Sequence, residues 1–188
     1  MGSEIERLRR VSDQLCTGHA ALRDRYRRLA LFLDMAILFL SIWLVALAFV
    51  DPALNVELTP FGWNSTIWIG VLSIITFALT VTQILTDWKA KANSHDRSLD
   101  MFSRVKQESR IASENPFDAE AARRVLALNE TAVTGSVPIP ERHFLRTKRM
   151  HLTKVEISKS LDKKPGASIW LLRLKLWLRD NIGREPPK

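Results

Sequence analysis

The sequence predicts an all-α membrane protein in which a two-helix transmembrane hairpin continues into a cytoplasmic helical bundle, and three observations carry that expectation. All 28 Lys and Arg lie at or before Arg28 or at or after Lys89, so about sixty residues between them carry no positive charge. That stretch holds two apolar runs, each close to the roughly 20 residues a helix needs to cross a bilayer. Outside it, apolar residues recur at helical spacing and no strand pattern of useful length occurs. Overall composition conceals this segregation, because 46% hydrophobic and 26% charged residues would suit an ordinary soluble domain.

Residues 1–28 read as a basic N-terminal helix that runs into the first span, with Ile5, Leu8, Leu15, Leu22, Tyr26 and Leu29 near a coiled-coil period and Gly18 weakening the pattern locally. Residues 29–50 form the first span. Only Asp34 and Ser41 are clearly polar there, over about 22 residues or roughly 33 Å of helix. Ala46-Leu47-Ala48 imitates a signal-peptidase site, but the apolar run exceeds the roughly 7 to 15 residues of a signal core. Residues 51–65 make an external loop without Lys or Arg, and residues 66–86 make the second span, with no charge from Leu58 through Thr86. Arg23, Arg25, Arg27 and Arg28 before the first span, with Lys89 and Lys91 after the second, place both termini in the cytoplasm. Asn64-Ser65-Thr66 has the form of a glycosylation acceptor, but it abuts the membrane. The single Cys16 excludes an intrachain disulfide.

Residues 87–165 form the cytoplasmic helical region. No breaker precedes Asn115-Pro116, so the second span is expected to continue as one long helix, with Trp88, Ala92, His95, Leu99, Phe102 and Val105 on one face for the N-terminal arm or a neighbouring subunit. A further helix follows, with Ala119, Ala122, Val125, Leu126 and Leu128 as its apolar side. Pro138 and Pro140 hold an extended turn, and a basic helix from Glu141 ends near Lys163-Lys164-Pro165-Gly166. Residues 166–188 carry a basic amphipathic C-terminal helix and tail. Trp170, Leu171, Leu174, Trp177 and Leu178 form its apolar side, widened by Leu172 and Leu176, with Arg173, Lys175 and Arg179 supplying charge. Such a helix suits either the membrane interface or the protein's own bundle.

The second span raises a separate question, because Thr66, Ser73, Thr76, Thr80, Gln83 and Asp87 follow one another at steps of 7, 3, 4, 3 and 4, a heptad seam. Asp34 and Ser41 in the first span are also seven apart, and in an antiparallel hairpin Asp34 falls near the level of Gln83 and Asp87. A carboxylate costs roughly 2.5 to 3.5 kcal/mol at bilayer centre and normally faces other helices or water. Two readings follow. The hydroxyl and amide groups join helices with about 0.6 kcal/mol each, or several copies arrange them around an aqueous path whose acidic mouth favours cations. The candidate path-lining residues are Asp34, Ser41, Ser73, Thr76, Thr80 and Gln83.

Enzymatic chemistry has little to stand on, so the chain is expected not to be an enzyme and to need no cofactor. The sequence has no glycine-rich phosphate loop, no paired cysteines and no Gly-x-Ser-x-Gly stretch. His143 and His151 lie eight apart, a poor fit to a shared metal face, and His95 with Asp96 and Asp100 has no better spacing. The net charge of +8 raises nucleic acid as a partner, but aromatic residues are sparse in "RHFLRTKRMHLTK" and membrane lipid accounts for the same cations, so no specific nucleic acid is expected.

From Leu22 to Gly166 the order of features resembles the SLATT domain, a two-transmembrane effector domain of prokaryotic conflict systems. The features are a basic lead-in, the hairpin, "DWKAKANSHDRSLDMF" with Trp88, Ala92, His95 and Phe102, then "VPIPERHF" and "KRMHLTKVEISKSLD". The resemblance implies a homo-oligomeric effector of the inner membrane that stays inactive until infection is sensed and then permeabilises or depolarises that membrane. It also implies a trigger from a sensor protein or a nucleotide second messenger of a neighbouring system. No nucleotide-sensing domain is attached here, which favours a separate sensor. A passive membrane anchor whose bundle recruits a partner is the competing expectation.

Overall fold

The computed structural model describes residues 2–49, 59–62, 64–114 and 118–182. Helix α1 covers Gly2–Phe49, α2 Ser65–Thr86, α3 Trp88–Glu114, α4 Ala119–Gly135, α5 Glu141–Lys163 and α6 Ile169–Ile182, with one 3-10 turn at Pro60–Gly62. No strand occurs among the described residues. Most of residues 51–65, expected to be the external loop, and the expected breaker at Asn115-Pro116 lie outside the described residues.

The chain divides into two compact units, Met1–Ala21 with Asp96–Lys188, and Leu22–His95. In the first, the start of α1 packs on α3 and α4 through two apolar clusters. Ile5 meets Ala112, Ala122 and Val125, with Leu8 and Ala121 beside them. Phe102, Val105 and Ala132 form the other, with Leu15, Cys16, Met101 and Leu128 around it. The predicted α3 face is therefore the packed one. On α4, Ala122 and Val125 are buried and Ala132 joins them, whereas Ala119 and Leu126 are exposed, because the buried stripe follows steps of three and seven from Ala122.

Gly18 does not interrupt α1. A Cβ there would lie 2.7 Å from Ile139 Cδ1 and 3.6 Å from Thr147 Cβ, so the missing side chain lets the proline-rich connection and α5 approach α1 closely. The same connection is tied at Val137, whose N–H donates to the buried Ser98 Oγ at 3.1 Å. Asp118 caps α4 by accepting from the N–H groups of Glu120 and Ala121.

In the second unit, the rest of α1 runs antiparallel to α2. Both helices are long and apolar enough to cross a membrane. Their apolar side chains are not a soluble core, since Phe32 is 74% exposed, Phe77 71% and Leu85 79%. Near one end Trp43 packs edge-on to Trp68 at 5.8 Å and to Phe39 at 5.9 Å. Asn64 opens α2 by accepting from the Thr66 N–H.

The expected single long helix is in fact two. Asp87 stands between α2 and α3 in the left-handed region, at φ 38° and ψ 55°. Its N–H still donates to Gln83 O, while its carboxylate accepts from the Ala90 N–H at 3.1 Å, so one residue ends α2 and caps α3. Asp tolerates this conformation better than most residues because its short polar side chain bonds locally.

Candidate functional site

The polar row of α2 is not a straight stripe. Thr76, Thr80 and Gln83 are half-buried on the side that meets α1, whereas Thr66, Ser73 and Asp87 are exposed. At about 100° per residue Thr66 and Ser73 lie at one edge of the row and Thr76 and Gln83 at the other, about 100° away in all, while Asp87 projects between Thr76 and Thr80 and is exposed because it stands beyond the end of α2. Asp34 and Ser41 are half-buried on α1.

The hydroxyls of this row donate within their own helices. Ser41 Oγ donates to Ile37 O, Ser73 Oγ to Ile69 O and Thr76 Oγ1 to Leu72 O, each at 2.8 Å, and Thr80 Oγ1 to Thr76 O at 2.9 Å. These donors are spent on i−4 carbonyls, as serine and threonine side chains do in helices. Each oxygen keeps acceptor capacity toward a neighbouring helix or water.

Asp34 is where the two helices are joined by polar chemistry. Gln83 Nε2 donates to Asp34 Oδ1, and Lys89 Nζ lies 2.8 Å from Asp34 Oδ2. The Asp34 side chain is 27% exposed and that of Lys89 63%, so the cation reaches the carboxylate from solvent. Beside them Ala30, Leu33, Thr86 and Trp88 help line a cavity of about 40 Å³. That volume admits a few waters, each needing about 10 to 15 Å³, and not a continuous wet path.

Three features here escaped the sequence reading. Lys89 entered it only as a topology signal, yet six residues beyond Gln83, nearly two turns on and past the break at Asp87, it closes on the same carboxylate. Asp87 was read as a seam member, although an Asp just before a helical run is a recognised start signal. The Trp43–Trp68 contact has no spacing signal, since it joins two different helices.

The histidine and cysteine candidates outside the apolar helix pair are packed side chains. His95 is buried and stacks on Tyr26 at 5.6 Å, and burial lowers its pKa from the usual 6.5. His19 stacks on Phe102 at 5.6 Å, and His151 Nδ1 lies 3.1 Å from Thr17 Oγ1. Burial pushes the Cys16 thiol up to about 11, and Sγ faces Leu99 O at 3.9 Å. No family model matches the chain, and no curated protein or solved structure does.

Proposed function

We propose that this chain is a membrane effector of an anti-phage, abortive-infection system, one that oligomerises and permeabilises or depolarises the inner membrane when a separate sensor triggers it. The observation that carries the reading is the polar line inside an otherwise apolar helix pair, with Asp34 and Gln83 bonded to each other and Thr76 and Thr80 on the same side. Polar groups at such depth mark ion pathways or interhelical contacts. The order of features shared with the SLATT domain favours the pathway. Charge places both termini in the cytoplasm, with the Asp34–Gln83–Lys89 cluster at the inner mouth. In the resting state Lys89 neutralises Asp34, and activation separates α1 from α2 or turns them so that neighbouring copies share the row.

Membrane potential in cells expressing the intact chain or the Thr76→Leu/Thr80→Leu variant tests this. The intact chain should depolarise the cells and the variant should insert normally without doing so. Equal depolarisation by both would remove the pore assignment.

A second reading, a passive anchor for a partner-recruiting bundle, is favoured by the hydroxyl donors being satisfied within their own helices. It predicts that unrelated apolar helices in place of both spans preserve activity, whereas the effector reading predicts loss.

A further inference from the structure

Helix α6 presents two apolar faces to different surroundings. Leu172 and Leu176 are half-buried, and Leu176 lines a groove with α5 residues Leu145, Leu152 and Glu156. On the other side Trp170 is 68% exposed and Trp177 56%, with Leu171, Leu174, Leu178 and Ile182 exposed beside them. At about 100° per residue these six fall within one arc of roughly 140°, bordered by Arg173 on one side and Lys175 on the other. The helix has no buried residue at all. Docking on α5 thus uses the narrow face and leaves the broad one open.

Next to it lies a cavity of about 560 Å³, within the range of small-molecule sites. Its lining includes the apolar Met150, Ile157 and Ile169 and the cations Arg149, Lys154 and Arg173. Among the described residues no carboxylate pairs with any of these three cations. Three unpaired cations in a lining with apolar side chains fit a ligand with an anionic head and an apolar body. The adjoining tryptophans fit the level of the headgroups, where one edge of the ring is wet and the other dry.

We infer that the open face of α6 lies on an anionic phospholipid surface, with a lipid phosphate held by Arg149, Lys154 and Arg173 at the adjoining cavity. Leu171, Leu174 and Leu178 enter the acyl boundary, while Lys175 and Arg173 stay with the phosphates. This engagement is separate from any pore: it concerns which lipid the C-terminal helix reads, and holds equally if the two long helices only anchor the chain.

The test uses the full chain in lipid nanodiscs, either of phosphatidylcholine alone or with about a third phosphatidylglycerol. With Cys16→Ser and Leu174→Cys, a nitroxide at position 174 should meet dissolved oxygen more than a water-soluble nickel chelate in the anionic discs, and less so in the neutral ones. Adding Arg173→Gln and Lys175→Gln should shift the helix towards water roughly thirtyfold, from about 1 kcal/mol per basic residue. Chelate access equal in both discs would overturn the proposal. So would shielding from both reagents, the sign of a second copy or another protein on this face. Release of the helix by inorganic phosphate would also overturn it, since the cavity would then serve a soluble anion. Should labelling disturb the fold, brominated phosphatidylglycerol should quench the unlabelled protein more than its Trp170→Phe/Trp177→Phe variant. Equal quenching would refute the lipid contact.

Discussion

Gln83 donates its side-chain amide to Asp34 between α2 and the 29–49 part of α1, a pair with no other charged residue, and Lys89 holds the other carboxylate oxygen at 2.8 Å. The two partners differ in kind. Gln83 is half-buried and meets the acid inside the pair, whereas Lys89 reaches it from the exposed side. Removing a buried partner leaves a charge-bearing group without its bond, while removing an exposed one lets water replace it.

Gln83→Leu should therefore destabilise the α1–α2 pair by about 0.6 to 1.7 kcal/mol, and Lys89→Met by less than that. Thermal unfolding in detergent measures the order, and a larger loss for Lys89→Met would show that the ion pair, not the amide, secures Asp34.

His95 makes stability depend on pH. Burial lowers its folded-state pKa, so the unfolded chain binds the proton more readily between the ordinary value near 6.5 and the lower folded one. Stability is retained above that window and falls as pH drops through it. Midpoints should decline as pH falls below the ordinary value near 6.5, and His95→Gln should flatten that decline. Parallel slopes would assign the effect elsewhere.

Cys16 should resist alkylation. Burial, reinforced by Asp13 and opposed by Lys106 and Lys154, raises its pKa to about 11. Near pH 8 the thiolate fraction is then on the order of a hundredfold below that of a free cysteine. Mass spectrometry after iodoacetamide should show slow modification of the native chain and fast modification in denaturant. Comparable rates would mean the arm does not hold this thiol.

Among the described glycines, Gly18 is the one where an added Cβ would make the shortest contact. Substitution by Ala gains about 1 kcal/mol of helix propensity but pushes on Ile139 Cδ1, a movable side-chain end, so the net change should stay within about 1 kcal/mol. Gly18→Val adds bulk towards Thr147 as well and should cost about 1 to 3 kcal/mol. Denaturant midpoints compare the two. A Val variant as stable as the parent would contradict this close approach.

Much of the architecture was legible because it rests on long-range segregation. Twenty-eight cations excluded from about sixty residues mark the apolar helices without any tertiary knowledge, and the face from Ala92 to Val105 follows helical spacing closely enough to name its buried members. The candidate row was legible only as a spacing. Its width, which separates exposed Ser73 from half-buried Thr76, comes from the three-residue step, which turns about 300° around the helix and leaves them about 60° apart. Pairing between helices was not legible, so Lys89 on Asp34 and Trp68 on Trp43 became visible only with both helices placed. The division at Asp87 was hidden because Asp breaks a helix by adopting a conformation most residues avoid, which composition does not announce.

That left-handed residue has a consequence for how motion travels. In an unbroken α-helix, turning one end twists the other, because every peptide is chained to the next turn. At Asp87 the chaining is reduced to one N–H on either side and a carboxylate contact to Ala90. Torque applied to α3 is therefore not delivered stiffly to α2. The first turn of α3 is instead tied to α1 by Lys89 on Asp34, the same carboxylate that holds Gln83 of α2, so all three helices meet at one acid.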